Sequence, residues 1–298
     1  MTHYTQMQMS DNTRRGTLYV VATPIGNLED ITYRAVRILK EADLIACEDT
    51  RQTRKLLDHY GIDKPTISYH EHNEAGRARE LVAKLEQGQT VAQVSDAGMP
   101  GISDPGYRVV KLAIERGIPV VPIPGASAVI TALAASGLPT DDFAFSGFLP
   151  AKSGQRRTAL EQVRNARHTV IVYEAPHRIH AAVEDIVHVL GNDRPVVIAR
   201  ELTKLHEEFI RGTAGEVQKQ IAERELKGEI TLLIGKAERS QASATETDLQ
   251  TRLQEIMHEQ KVDEKAAMKI LAKERGMGKS DLYRELQRGK TKMGNKNG

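Results

Sequence analysis

The 298-residue chain contains one cysteine, Cys47, no tryptophan and only four phenylalanines. A single thiol excludes an internal disulfide framework and any site built from several thiolates, and it fits a reducing cytoplasm. There is no uncharged apolar run of about eighteen residues, so no membrane-spanning helix is expected. The leader MTHYTQMQMSDNTRR lacks the apolar core of a signal peptide and reads as a disordered segment over 1–15. Two phosphate-binding signatures are also missing. Nothing matches GxxxxGK[ST], and no GxGxxG opens the first helical pattern, so the P-loop and Rossmann dinucleotide readings both fail. His70 and His72 of YHEHN have no third ligand at useful spacing, and no metal is expected.

Charge is nearly balanced, at +2, but unevenly placed. Asp248 to Gly298 holds twelve Lys/Arg against eight Asp/Glu, while the remainder holds thirty against thirty-two. A basic tail on a neutral body suits a polyanion-facing appendage or a plain solvated tail.

From Thr17 the hydrophobic pattern alternates strand with helix. The strands TLYVVAT, DLIAC, TISYH, TVAQVS and PVVPI are interleaved with helical periodicities such as ITYRAVRILKEA and EAGRARELVAKLE. Repeated βα units imply a mostly parallel sheet covered on both faces, assigned to 16–150 and closed by FAFSGFL and Pro150. Over 151–240 successive strands occur with fewer helices (TVIVYEA, PVVIARELT, EEFIRG, EITLLIGKA), which predicts a mixed sheet. QASATETD, from Gln241 to Asp248, reads as a linker. The three helical patterns over 248–289 resemble a helix-turn-helix, with Gly276 as a stop and Ser280 as an N-cap. KTKMGNKNG is expected to be disordered over 290–298.

Three Gly/Pro-rich loops follow three strands of the first half: ATPIGN, SDAGMPGISDPG and PIPGASA. In open parallel sheets ligands bind at the carboxyl ends of strands, where such loops gather. None of the three contains Lys or Arg. Backbone groups with one aspartate suit a neutral or zwitterionic ligand bearing amines and hydroxyls, whereas tight turns alone would also account for any single loop.

The motifs ATPIGNLEDIT, CEDTR, VSDAGMPGISDPG, PGASA, EAPHRI and ARELTK, in this order, resemble the tetrapyrrole-methylase-like S-adenosylmethionine methyltransferases. Within them the chain is most similar to the branch that 2′-O-methylates a cytidine of 16S rRNA in the small ribosomal subunit. The resemblance runs from Gly16 to Gly289. It implies two α/β domains with S-adenosylmethionine in the cleft between them, and a homodimer. By position it implies cofactor binding by Pro24, Asp96, Gly98, Met99, Ser127, Ala128, Tyr173 and Thr231. Where the tetrapyrrole branch resembles GDP, this chain reads SDAGMP.

Transfer to a ribose hydroxyl needs that oxygen in line with the sulfonium methyl and a group to orient or accept its proton. Charged candidates sit at strand ends: Glu48, Asp49 and Arg51 in CEDTR, Glu174, His177 and Arg178 in EAPHR, and Glu201 and Lys204 in RELTK. Asp49 and Glu201 are the candidate bases. Arg51, Glu174, His177, Arg178 and Lys204 are the candidate substrate contacts. Asp49 or Thr50 as a helix cap, and Glu174–Arg178 and Glu201–Lys204 as structural pairs, remain open alternatives. Two other functions also stay open: methylation of a tetrapyrrole or of a modified protein residue, and a non-catalytic RNA-binding ribosome factor. A small macrocycle has no use for the basic C-terminal module.

Overall fold

The computed structural model describes residues 15–237, 246–278, 280–284 and 286. The predicted leader, save Arg15, and the predicted tail over 290–298 lie outside the described residues. The chain divides into two compact units, Met1–Lys236 and Ala237–Gly298.

Five short apolar segments form the first sheet: β1 (Leu18–Val21), β2 (Leu44–Cys47), β3 (Thr66–Ser68), β4 (Val91–Gln93) and β5 (Val120–Ile123). All pair in parallel, in the order β3-β2-β4-β1-β5. Pro122 lies in β5, an edge strand, where the missing N–H breaks no central ladder. One face is covered by α1 (Tyr33–Glu41) and α2 (Thr50–His59), which bury Ala35, Ile38, Leu39 and Leu57 against Val21, Ile45 and Ala92. The other is covered by α3 (Glu74–Glu86) and α4 (Tyr107–Glu115), through Leu81, Leu85, Val109 and Ala113. Burial on both faces explains why these strands read as continuous apolar runs.

The next helix, α5 (Ala128–Ser136), leaves the first sheet. The second sheet contains β6 (Phe143–Phe148), β7 (Thr169–Glu174), β8 (Pro195–Arg200), β9 (Glu208–Thr213) and β10 (Ile230–Ile234), in the order β6-β7-β10-β8-β9. β6 and β7 are parallel and the other pairs antiparallel, so the sheet is mixed as the sequence predicts. Its strands alternate. Val170, Val172, Val196, Ile198, Leu232 and Ile234 face the layer made by α6 (Ser153–Gln162), α7 (Ile179–Leu190) and α8 (Ala214–Ile221). Ile171, Val197, Ala199 and Leu233 face Val129, Ala132 and Leu133 of α5. A buried cluster ties α6 to α7, with Arg156 2.6 Å from Asp185 and Ser153 Oγ donating to the same carboxylate.

The sequence places FAFSGFL in the first domain and the break after Pro150. In the structure β6 pairs with β7, so the change of sheet falls before Phe143. The apolar face of α5 is the reason: it seats on the second sheet and carries the chain across before β6 begins.

The C-terminal unit contains α9 (Glu246–Gln260) and α10 (Glu264–Glu274), followed by a helical segment over 280–284. α9 starts inside the predicted linker, of which 241–245 lie outside the described residues. Asp263 caps α10 by accepting from Ala266 N–H at 2.7 Å. Gly276, at φ 61°, ends it. Helical hydrogen bonding resumes where Asp281 N–H donates to Gly278 O, so Ser280 lies within the turn rather than before it. Leu249, Leu253, Ile256, Ala267, Leu271, Leu282 and Leu286 make a core of their own.

Candidate functional site

The loops after β1 and β4 are joined by a two-residue bridge. Thr23 N–H donates to Gly98 O at 2.9 Å, and Gly98 N–H returns to Thr23 O at 3.1 Å. Thr23 Oγ1 also donates to Ser95 O at 3.1 Å. Gly98 takes φ 77°, a left-handed conformation that a side chain would resist, and a Cβ there would press on Ile25. The bridge pins the two loops over the start of α5 and beside the facing ends of β7 and β10, where Tyr173 pairs with Thr231 and Glu174 with Ile230.

A cavity of about 320 Å³ opens at this junction. Its walls include Gly98, Met99, Ser127, Ala128, Tyr173 and Thr231, six of the eight residues that the sequence proposes for a cofactor. Ile25, Ile102, Phe148, Leu202 and Ile230 supply apolar surface. Ser127, the N-cap of α5, makes no capping bond with its own side chain, so helix-start N–H groups stand at the cavity edge. Three carboxylates line it, Asp104, Glu174 and Glu229, and no Lys or Arg does among the described residues.

Pro24 and Asp96 do not line the cavity. Pro24 is half-buried between Thr23 of the bridge and Ile25 of the wall. Asp96 faces outward, and its Oδ1 accepts from Asp49 N–H at 3.1 Å. Asp104 takes the inward position instead. Gly101 at φ 82° and Ser103 at φ 62° turn the loop back, so that the second aspartate, not the first, reaches the cavity. Burial lifts the Asp104 carboxyl to about 6, with Asp96 adding to the rise and a Ser95 hydrogen bond opposing it. Burial likewise raises the Tyr173 phenol. In the sequence, only the repetition of SDxG as SDPG hints at Asp104.

The two carboxylates proposed as bases lie elsewhere. Asp49 caps α2 through Arg51 N–H at 2.8 Å and receives the Arg51 guanidinium at 2.8 Å. The Arg51 hydrogen bonds hold it down at about 2, too low for a base working near neutral pH. Glu201 accepts from Lys204 Nζ at 2.8 Å and from Glu229 N–H at 3.0 Å, and its pairing with Lys204 lowers its pKa. It packs beneath Gly228, where a Cβ would meet the Glu201 carboxyl at 2.2 Å, so it shapes the wall that Gly228, Glu229 and Ile230 form.

The charged residues proposed as substrate contacts are engaged as well. Arg51 pairs with Asp49, Arg178 with Glu174 at 2.8 Å, and Lys204 with Glu201 and with Glu229 at 3.0 Å. His177 is exposed on the single helical turn Pro176–Arg178. Glu174 is buried in the cavity wall. Its Oε1 is bonded to Ala175 N–H and Arg178, whereas Oε2 has no partner. The His70 and His72 rings lie 6.0 Å apart, and no three metal-ligating side chains converge among the described residues.

Residues 17–218 match the family Tetrapyrrole (Corrin/Porphyrin) Methylases. A protein of Halalkalibacterium halodurans named ribosomal RNA small subunit methyltransferase I is 49% identical over 94% of this chain and 97% of its own length. A protein of the same name from Escherichia coli O157:H7 is 46% identical over 94% and 97%. Among solved structures, uroporphyrin-III C-methyltransferase from Thermus thermophilus, complexed with S-adenosylhomocysteine, superimposes with a TM-score of 0.53 at 20% identity. That match covers 74% of this chain and 97% of the other. The fold, the matched span and these relatives agree: the chain belongs to the tetrapyrrole methylase family.

Proposed function

We propose that the chain transfers a methyl group from S-adenosylmethionine to 16S rRNA of the small ribosomal subunit, on the 2′-hydroxyl of a cytidine. One observation carries the cofactor reading: a partly open cavity with a mostly apolar lining and three carboxylates, and with no Lys or Arg in its walls among the described residues. Nucleotide phosphates would be repelled from it, whereas a ligand with a sulfonium, an ammonium and a ribose diol meets acceptors on its polar side and apolar surface around its base. Asp104 and the unpartnered Glu174 Oε2 would accept from such donors. The N–H groups at the start of α5 suit a carboxylate, and Tyr173 and Ile230 suit a purine. Bound there, S-adenosylmethionine would supply an electrophilic methyl group. The chain would contribute position, exclusion of water and a fixed electrostatic field.

The names borne by the relatives support small-subunit rRNA as the acceptor. The basic C-terminal unit, with three packed helical segments, fits a nucleic-acid module. A cytoplasmic homodimer completes the reading, as the family resemblance implies. No helix among the described residues is long and apolar enough to cross a membrane.

The experiment supplies labelled cofactor to the protein with undermethylated small subunits, free 16S rRNA and a tetrapyrrole precursor. Label is expected in RNA, in alkali-resistant dinucleotides. Label in the macrocycle alone would overturn the proposal. Truncation after Gln241 should leave cofactor affinity intact and weaken use of RNA.

A further inference from the structure

Beside the cofactor cavity lies a second, more open concavity of about 790 Å³. Helices α3 and α4 flank it, and Glu48, just beyond β2, lines it as well. Ser103 and Asp104 line both spaces. A methyl acceptor has to reach the cofactor, and here an adjoining space shares its wall.

Its polarity is graded. Arg79, Arg108 and Lys111 are exposed on the two helices, and Tyr107 is 69% exposed. Arg79 has no hydrogen bond or ion pair among the described residues. Glu48 is half-buried. Of the carboxylates around it, Asp49 is held by Arg51, Asp96 by Asp49 N–H, and Glu74 by Tyr69 and Arg108, while Glu71 is exposed to solvent. Glu48, half-buried by contrast, accepts no hydrogen bond and meets no cation among the described residues. Burial, with Asp104, Asp96, Asp49 and Glu71 nearby, raises its pKa, which marks an acceptor short of donors.

Glu48, Glu71 and Asp104, none of them paired with a cation among the described residues, disfavour a phosphate group beside them and leave phosphates to the cations at the rim. A neutral base can enter, provided that it presents a donor. We propose that this concavity receives the base of the nucleotide to be methylated, and that Glu48 accepts a hydrogen bond from the exocyclic amine of cytosine. The inference rests on the rRNA reading above and adds the residue that selects the base. Tyr107 offers a face for stacking, and Arg79 and Lys111 meet flanking phosphates at the rim. Uracil carries a carbonyl oxygen where cytosine carries its amine, so two acceptors would face each other.

The test uses the full chain and small subunits carrying either cytidine or uridine at the mapped acceptor position. Wild-type protein should favour cytidine in kcat/KM by about ten- to a hundredfold. Glu48→Gln, whose amide both donates and accepts, should bring that ratio to within about threefold, with cofactor affinity changed by less than about twofold. Equilibrium binding of the two RNAs in the presence of S-adenosylhomocysteine should lose the same preference. An unchanged ratio in a variant that still binds cofactor overturns the role of Glu48. Absence of label in any RNA with the wild-type protein overturns the underlying function instead. Should Glu48→Gln fail to fold, Tyr107→Ala on the surface reads the same pocket: KM for RNA should rise about tenfold, and an unchanged KM overturns the pocket.

Discussion

The two concavities at the carboxyl ends of the first sheet share Ser103 and Asp104, yet they differ in nearly every other respect. One is the smaller, mostly apolar with three carboxylates and no Lys or Arg in its walls among the described residues, and is closed on one side by the second sheet. The other is wide and open, with carboxylates and exposed cations on one helical pair. The first suits a small ligand that must be desolvated, the second one end of a large polyanion. A single loop, Gly101–Gly106, divides them, so one turn sets the limits of both ligands. The glycines and the left-handed Ser103 in that loop are conformational requirements of a shared wall.

The comparison breaks most sharply at the shared carboxylate. Asp104→Ala should weaken S-adenosylmethionine binding by about ten- to a hundredfold, the usual worth of one charge-assisted hydrogen bond. Isothermal titration checks it; a change below about twofold would move the cation site to Glu174 or Glu229. The pH dependence is the companion test. Asp104 ionises near 6, above its ordinary 3.8, so it is charged at neutral pH and becomes neutral as the pH falls through 6. Affinity should be full above about pH 7 and about tenfold weaker near pH 5, and Asp104→Asn should flatten the profile. Stability runs the opposite way. The folded state disfavours this ionised carboxylate, so the cofactor-free protein gains stability from the group as the pH falls from about 6 towards about 4.

Asp104 also marks where the sequence ceases to be legible. The loops themselves are readable, because glycine and proline act locally, and six of the proposed lining residues do meet in one cavity. The choice between Asp96 and Asp104 is not, since it turns on positive φ at Gly101 and at Ser103, the latter unforeseeable from residue type. The same holds for partners distant in sequence. Asp49 as a cap can be foreseen from CEDTR, but the hydrogen bond from Asp49 N–H to Asp96 joins residues that only the β2–β4 pairing brings together. The sequence misplaces β6 for a related reason. A strand following a βα run reads as its continuation, and only the seating of α5 on the second sheet shows otherwise.

A smaller effect separates the two spaces by charge. Arg79→Glu with Lys111→Glu should raise KM for small-subunit RNA about five- to tenfold. Binding should also depend less steeply on salt, by about one unit of slope for each phosphate no longer neutralised. Cofactor affinity should not move, because neither side chain lines the smaller cavity. An equal weakening of both affinities would mean that the two spaces act as one site.

The smallest change is expected at Glu201. Its carboxylate is spent on Lys204 and on Glu229 N–H, beneath the Gly228 turn and outside both concavities. Glu201→Gln keeps an oxygen for either donor and removes only the charge, so kcat should fall by less than about threefold and cofactor affinity should drift only slightly. A general base would behave otherwise, since its removal costs about a hundredfold or more in kcat. Measured kcat therefore distinguishes a residue that supports the cavity wall from one that takes the ribose proton, and a hundredfold fall would restore Glu201 to the chemistry.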